Sequence, residues 1–173
     1  KKFGSLKAVL EADPKDLKII KGIGDKNVFG LKLSQDVARR YLSDRIIDKD
    51  YAQSSNDIIE YLQHNLRDKN KELFMVIYLN GRNQIIKMDE LFKGTLNTSA
   101  VYPREVVKHA LNNNAAALVF VHNHPSGNPN PSQDDISITK KLKEAALAID
   151  VSVHDHLIIA GNDVYSFADH GLI

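Results

Sequence analysis

Leu73-Phe74-Met75-Val76-Ile77-Tyr78-Leu79 is an unbroken apolar row of strand length. A strand with no polar alternation has no face to give to water, so both of its faces must be covered. Ala115–Val121 reads as a second strand of the same kind. Two such strands demand a sheet with helices packed against it, and the rest of the sequence supplies both.

The run is followed by Asn80-Gly81, a turn dipeptide, and Gln84–Met88 is placed to return as a partner strand. Before it, Ser54/Ser55 start a helix with Ile58, Ile59, Leu62 and Leu66 inside. After it, Pro103 suits the first turn of a helix reaching about Leu111, with Val106, Val107, Ala110 and Leu111 inward. Ser132 to about Ile149 is helical, Val151–His154 and Leu157–Ala160 are strands, and Tyr165–Phe167 is one more. The fold class is therefore α/β (α+β), a mixed sheet flanked by helices. Residues 1–50 read differently. Ser5–Asp13 is a short helix with Leu6, Val9 and Leu10 on one face, and Asp16 caps a second, which runs to about Lys21. Lys21-Gly22-Ile23-Gly24 breaks it, and a third helix runs to about Ser43. Asp44–Gln53 is polar, without periodicity, and reads as a linker between a module at 1–50 and a domain at 51–173.

The chain has no cysteine, which removes disulfides and thiolate metal sites. Any transition metal must be held by His, Asp or Glu. No apolar run approaches the ~20 residues that span a bilayer, and the start carries no apolar signal core. No membrane partner and a cytoplasmic location are the expectations. Charge is uneven: residues 1–50 carry 12 Lys/Arg against 8 Asp/Glu, and the remainder 11 against 14. Such an excess suits either an ordinary solvated surface or a small module that meets phosphate.

The most informative segment is Phe120-Val-His122-Asn-His124-Pro-Ser-Gly-Asn-Pro-Asn-Pro-Ser132-Gln-Asp-Asp135. His122 and His124 close an apolar strand, where a period of two sets both rings on one face and Asn123 on the other. Asp135 lies in the first turn of the next helix. Two imidazoles and a carboxylate suit zinc, with a fourth position left for water as in catalytic sites. Ser132-x-x-Asp135 is equally the pattern of a helix capping box. Each ring should donate its remaining N–H to an acceptor that the sequence does not identify. Asp155-His156 reads as a buried, hydrogen-bonded structural pair between strands, and His64, His109, His154 and His170 as surface or loop residues.

This string resembles the JAMM (MPN/JAB) metalloprotease motif, and the bacterial RadC branch in particular. Gly94-Thr95-Leu96, Val101-Tyr-Pro-Arg-Glu105, His122–Gly127, Pro131-Ser132, Asp155-His156 and Ser166-Phe167 all look like that family. The resemblance covers about residues 51–173. It implies a JAMM-type mixed sheet flanked by helices, one zinc per chain on His122, His124 and Asp135, and hydrolysis of a peptide or isopeptide amide bond in a peptide or protein substrate. It also implies a catalytic glutamate ahead of the first strand. Glu72 is the match, while Glu90 lies past the hairpin. Ser132 would assist the oxyanion as an electrophile and not as a nucleophile.

Leu17-Lys-Ile-Ile-Lys21-Gly22-Ile23-Gly24-Asp25-Lys26-Asn-Val28 resembles a helix-hairpin-helix motif. The resemblance implies DNA binding, with backbone N–H groups near Gly22 and Gly24 and the charge of Lys26 meeting phosphate. Asp25 departs from that pattern by adding negative charge to the turn. The chain reads as starting within this module, trimmed from a longer parent. Three functions are thus in play: a zinc-dependent hydrolase, a DNA-binding protein of repair or recombination whose metal domain is structural, and a protein-interaction scaffold.

Overall fold

A computed structural model describes residues 2–67, 69–94 and 101–173. Thr95 and Leu96, part of the family-like string, lie outside the described residues. The chain divides into two compact units, Lys1–Asp44 and Arg45–Ile173.

The first unit is helical. It contains α1 (Leu6–Glu11), α2 (Pro14–Lys18) and α3 (Asp25–Asp44). Ser5 Oγ caps α1 by accepting from Ala8 N at 3.0 Å. Asp13, not Asp16, caps α2, accepting from Lys15 N at 2.8 Å. The reason is Pro14: its fixed φ and missing N–H suit the first helical position, so the helix starts earlier than the apolar pattern suggests. Gly22 carries the turn between α2 and α3 at φ +90°, a conformation that favours glycine. Leu17 and Val28 are this unit's buried anchors, whereas Leu6 stays exposed.

The second unit contains α4 (Ser55–Leu66), β1 (Leu73–Leu79), β2 (Ile85–Lys93), α5 (Pro103–Asn112), β3 (Ala117–Asn123), α6 (Gln133–Leu147), β4 (Ser152–Ala160) and β5 (Asp163–Ser166). The strands form one mixed sheet in the order β2-β1-β3-β4-β5. β1 is antiparallel to β2 and to β3, β3 is parallel to β4, and β4 is antiparallel to β5. A parallel pair needs a crossover, which α6 provides.

Register explains the uninterrupted apolar runs. Phe74 pairs with His122, Val76 with Phe120 and Tyr78 with Leu118, so these share one face. That face packs on Val106 and Ala110 of α5 and on Ile138, Leu142 and Ala146 of α6. The opposite face carries Leu157, which lines a cavity together with Ile58 and Ile59 of α4. Every residue of β1 and β3 is therefore buried. Full burial of each large apolar side chain contributes about 1.5–3 kcal/mol against the entropy of ordering it.

The segment read as a linker is part of this unit. Ile46 is completely buried, Asp48 N donates to Ile85 O at 2.8 Å, and Ile85 N donates to Lys49 O at 3.0 Å. Arg45 bridges Asp57 at 2.5 Å and Glu60 at 3.1 Å. Two adjacent isoleucines among polar residues make no period, so the sequence hid this packing. The two strands expected around Asp155 are one continuous β4. Among the described residues, no helix is long and apolar enough to cross a membrane.

Candidate metal centre

β3 and α6 converge on one point. His122, the last residue but one of β3, is fully buried on the α6 side of the sheet, and His124 follows just beyond the strand. His124 N donates to Ile159 O at 2.9 Å, which keeps this segment on the line of the sheet. α6 begins with Ser132 as its cap: Asp135 N donates to Ser132 Oγ at 3.1 Å, and Ser132 N donates to Asp135 Oδ2 at 2.7 Å. The capping box is therefore formed, and it serves the site as well. It fixes the Asp135 carboxylate, to which the Ser132 hydroxyl also donates at 2.6 Å. The sequence reading left a choice between capping and ligation. The geometry accommodates both: Asp135 N and Oδ2 make the cap, while Oδ1 faces His122 Nε2.

The three side chains expected to hold a metal are brought together. Nε2 of His122 lies 2.9 Å from Nε2 of His124 and 3.2 Å from Asp135 Oδ1, and His124 Nε2 lies 3.4 Å from Asp135 Oδ2. A tetrahedral ion with bonds of ~2.0–2.1 Å needs ligand atoms about 3.3 Å apart. The imidazole nitrogens lie 2.9 Å apart and each faces one Asp135 oxygen, so the three groups are within reach of one such ion. The donor set suits it: with one imidazole protonated, the edges left over oppose lone pair to lone pair, which a cation relieves. Among the described residues these three form the one His/Asp/Glu group with this property.

The electrostatics agree with a coupled site. Burial pushes the pKa of His122 down, against the upward pull of Asp135 and, more weakly, Glu72. The Asp135 hydrogen bond pushes His124 up despite partial burial, with help from the Asn128 carbonyl. Burial alone would raise the Asp135 carboxyl. His122, His124 and Ser132 outweigh it and hold the group well below the usual carboxylate range.

The acceptors left open by the sequence can now be named. His124 Nδ1 donates to Asn128 O at 2.7 Å. His122 Nδ1 meets His156 Nε2 at 2.8 Å, and His156 Nδ1 meets Thr139 Oγ1 at 2.6 Å. Asp155-His156 is thus a structural pair only in part. Asp155 is structural, accepting from His156 N, Ala168 N and the Ser166 hydroxyl. His156 belongs to the metal centre, because neighbours on a strand point to opposite faces. Burial, and then the charge of His122, push the His156 pKa well below its ordinary value. Sequence reasoning also missed Thr139, although it sits one turn after Asp135 on the buried face of α6.

Glu72 immediately precedes β1, and its backbone carbonyl accepts from Gly94 N at 2.9 Å. Asn123 grips the backbone on both sides of it: Leu73 N donates to Asn123 Oδ1 at 2.8 Å, and Asn123 Nδ2 donates to Lys71 O at 3.3 Å. A cavity of about 400 Å³ lies between this segment and the loop after His124, lined by Asn70, Lys71, Glu72, Gly94, Pro125 and Ser126. Glu90 is exposed on β2, opposite Met75. His64 and His170 are exposed, while His109 and His154 are half-buried and reach Asp89 (3.7 Å) and Asn83 (2.9 Å).

In the N-terminal unit, Gly22, Ile23 and Gly24 do form the turn between helices. Lys18 pairs with Asp25, which draws one lysine away from any anion.

A mixed sheet with a crossover helix thus carries, at one end, two histidines and an aspartate that could bind a metal, as in a JAB-type domain. The description "RadC-like JAB domain" matches residues 52–172. A UPF0758 protein of Haemophilus influenzae is 42% identical over 171 residues, covering 99% of this chain and 77% of its own length. A UPF0758 protein of Pseudoalteromonas translucida is 45% identical over 153 residues, covering 88% and 68%. One from Paracidovorax citrulli is 43% identical over 171 residues, covering 99% and 72%. The chain belongs to the RadC family.

Proposed function

We propose that this protein is a zinc-dependent hydrolase of amide bonds, peptide or isopeptide. The observation that carries this reading is the convergence of His122, His124 and Asp135 beside a cavity that Glu72 lines. Those three residues hold the ion. Two imidazoles and one carboxylate, with no thiolate, match the ligand sets of catalytic zinc, which leave a position for water or substrate. Bound there, the ion would supply Lewis-acid chemistry that lowers the pKa of water toward ~7. Glu72, which is not in the ligand group, takes the proton from the attacking water and returns it to the leaving amine. Asn123 holds the Glu72 backbone in place for both transfers. Ser132 keeps the Asp135 carboxylate oriented; to assist the oxyanion as well, its hydroxyl must turn from Asp135 Oδ2 toward the substrate. The cavity beside Glu72 receives the scissile segment.

Zinc-loaded protein is expected to cleave members of a peptide and isopeptide library. Removing the metal with a chelator should abolish cleavage, and one equivalent of zinc should restore it. No cleavage by the loaded protein, or cleavage that survives metal removal, overturns the reading.

A second reading, DNA binding by residues 1–50, is favoured by the two-glycine turn with Lys21 and Lys26 beside it. Contacts of this kind reach phosphates and read no bases. With Lys18 engaged by Asp25, about two phosphates are neutralised, so log affinity should fall with log salt with a slope near −2. A salt titration of duplex binding by the whole chain measures this. Lys21→Glu with Lys26→Glu should remove binding without changing metal content. Salt-independent binding, or binding that survives the double change, rejects this reading.

A further inference from the structure

The centre contains a buried chain of hydrogen bonds whose direction is fixed at one end. Thr139 Oγ1 lies 2.5 Å from the Asp135 backbone carbonyl, which can only accept. The single hydroxyl proton of Thr139 is therefore committed to that carbonyl, and Oγ1 can only accept from His156 Nδ1, 2.6 Å away. A neutral imidazole with its proton on Nδ1 has a lone pair on Nε2. His156 Nε2 must then accept, and its partner at 2.8 Å, His122 Nδ1, must donate. His122 is left with its lone pair on Nε2, the atom that faces His124 and Asp135. His156 is enclosed by apolar rings. It is wholly buried, with the rings of Phe167, Phe74 and Phe120 at 4.8, 5.7 and 5.8 Å.

We propose that Thr139 and His156 are positioning residues that hold His122 in its Nδ1–H tautomer and so present Nε2 to the metal before the metal arrives. The path closes on itself: it starts at the backbone of one metal ligand, Asp135 on α6, and ends at the ring of another, His122 on β3. The inference rests on the reading of these residues as metal ligands, but its first test needs no metal.

Long-range ¹⁵N–¹H spectra of the metal-free protein report each histidine tautomer. The expected result is Nδ1–H for both His122 and His156. A proton on His122 Nε2 in the neutral ring overturns the proposal, whatever the metal affinity. Thr139→Val then removes the acceptor at nearly constant shape. The proton of His156 is no longer held on Nδ1, its Nε2–H form becomes populated, and His122 shifts toward Nε2–H in response. Zinc affinity, measured against a competing chelator, should fall about 10- to 100-fold. Thr139→Ser keeps the hydroxyl and should restore both the tautomers and the affinity. Unchanged tautomers and affinity in Thr139→Val also overturn the proposal, as does equal loss in Thr139→Ser. If the native chain shows the expected tautomers and binds no zinc, the metal reading fails and not the relay.

Discussion

Replacing His122 and Asp135 together by alanine is expected to reduce bound metal from one ion per chain to none. His124 would be left as a lone imidazole, and one such group does not hold zinc in competition with water. Elemental analysis of both proteins measures the effect, and stoichiometric metal in the double variant would remove this site. Stability should change with it. Metal that binds only the folded chain stabilises it by about 2.7 kcal/mol at one hundred times its dissociation constant, so zinc should raise the melting temperature of the native chain and leave that of the variant unmoved. The comparison must be made on added zinc and not on the absolute values. His122→Ala also empties a buried site and orphans His156 Nε2, and Asp135→Ala opens the α6 capping box; each costs about 1–3 kcal/mol without any metal. The affinity of the native chain should also depend on pH. Zinc needs His124 neutral, and Asp135 holds its pKa above the ordinary 6.5. Affinity should therefore begin to fall on acidification before pH 6.5 is reached. In the metal-free protein the sign is reversed for this group. Its raised pKa contributes stability that is fully present below 6.5 and is lost as pH rises through the raised value. Asp135 acts the other way, contributing stability above 3.8 that is lost as pH falls through its depressed value.

How much of this was legible depended on whether a feature has a period. The apolar runs of β1 and β3, the helix face of α4 and the His-x-His spacing at a strand end all repeat, so the sequence exposes them; the α5 face was legible only in part, because Val106 and Ala110 are buried whereas Leu111, expected inward, is 56% exposed in the last turn. β2 was read only as far as Met88 but continues to Lys93, because it is an edge strand and its half-exposed residues blur the alternation. β4 was split by Asp155-His156, since a polar pair inside an apolar strand looks like a break until its partners are known. Those partners lie far away in sequence: Ser166 for Asp155, and His122 and Thr139 for His156. The same holds for Asn123. Between two metal ligands it reads as a spacer, yet its amide organises a backbone some fifty residues upstream. Contacts between single polar residues leave no pattern along the chain, so the cluster of His122, His124 and Asp135 was legible and what orients its side chains was not.

That amide bears on the last prediction. Glu72→Gln is expected to keep the metal and to lose about 10²–10⁴ in turnover, the usual contribution of a placed general base. Glutamine fills the same space and preserves the Gly94 N contact to the Glu72 carbonyl, so what is lost is the ability to accept and return a proton. Glu90→Gln is the control. Glu90 is exposed on β2, past the hairpin, so its change should leave turnover nearly intact. Asn123→Ala separates position from chemistry. Glu72 keeps its carboxylate but loses the grip on Lys71 and Leu73, and turnover should fall with metal content unchanged, because Asn123 points away from the ligand face of β3. Metal content and rate must be measured on the same samples. Loss of metal in Glu72→Gln would make Glu72 a ligand. Full activity in Glu72→Gln would remove it from the mechanism, and the proton would then have to leave by a group other than the one Asn123 holds beside the cavity.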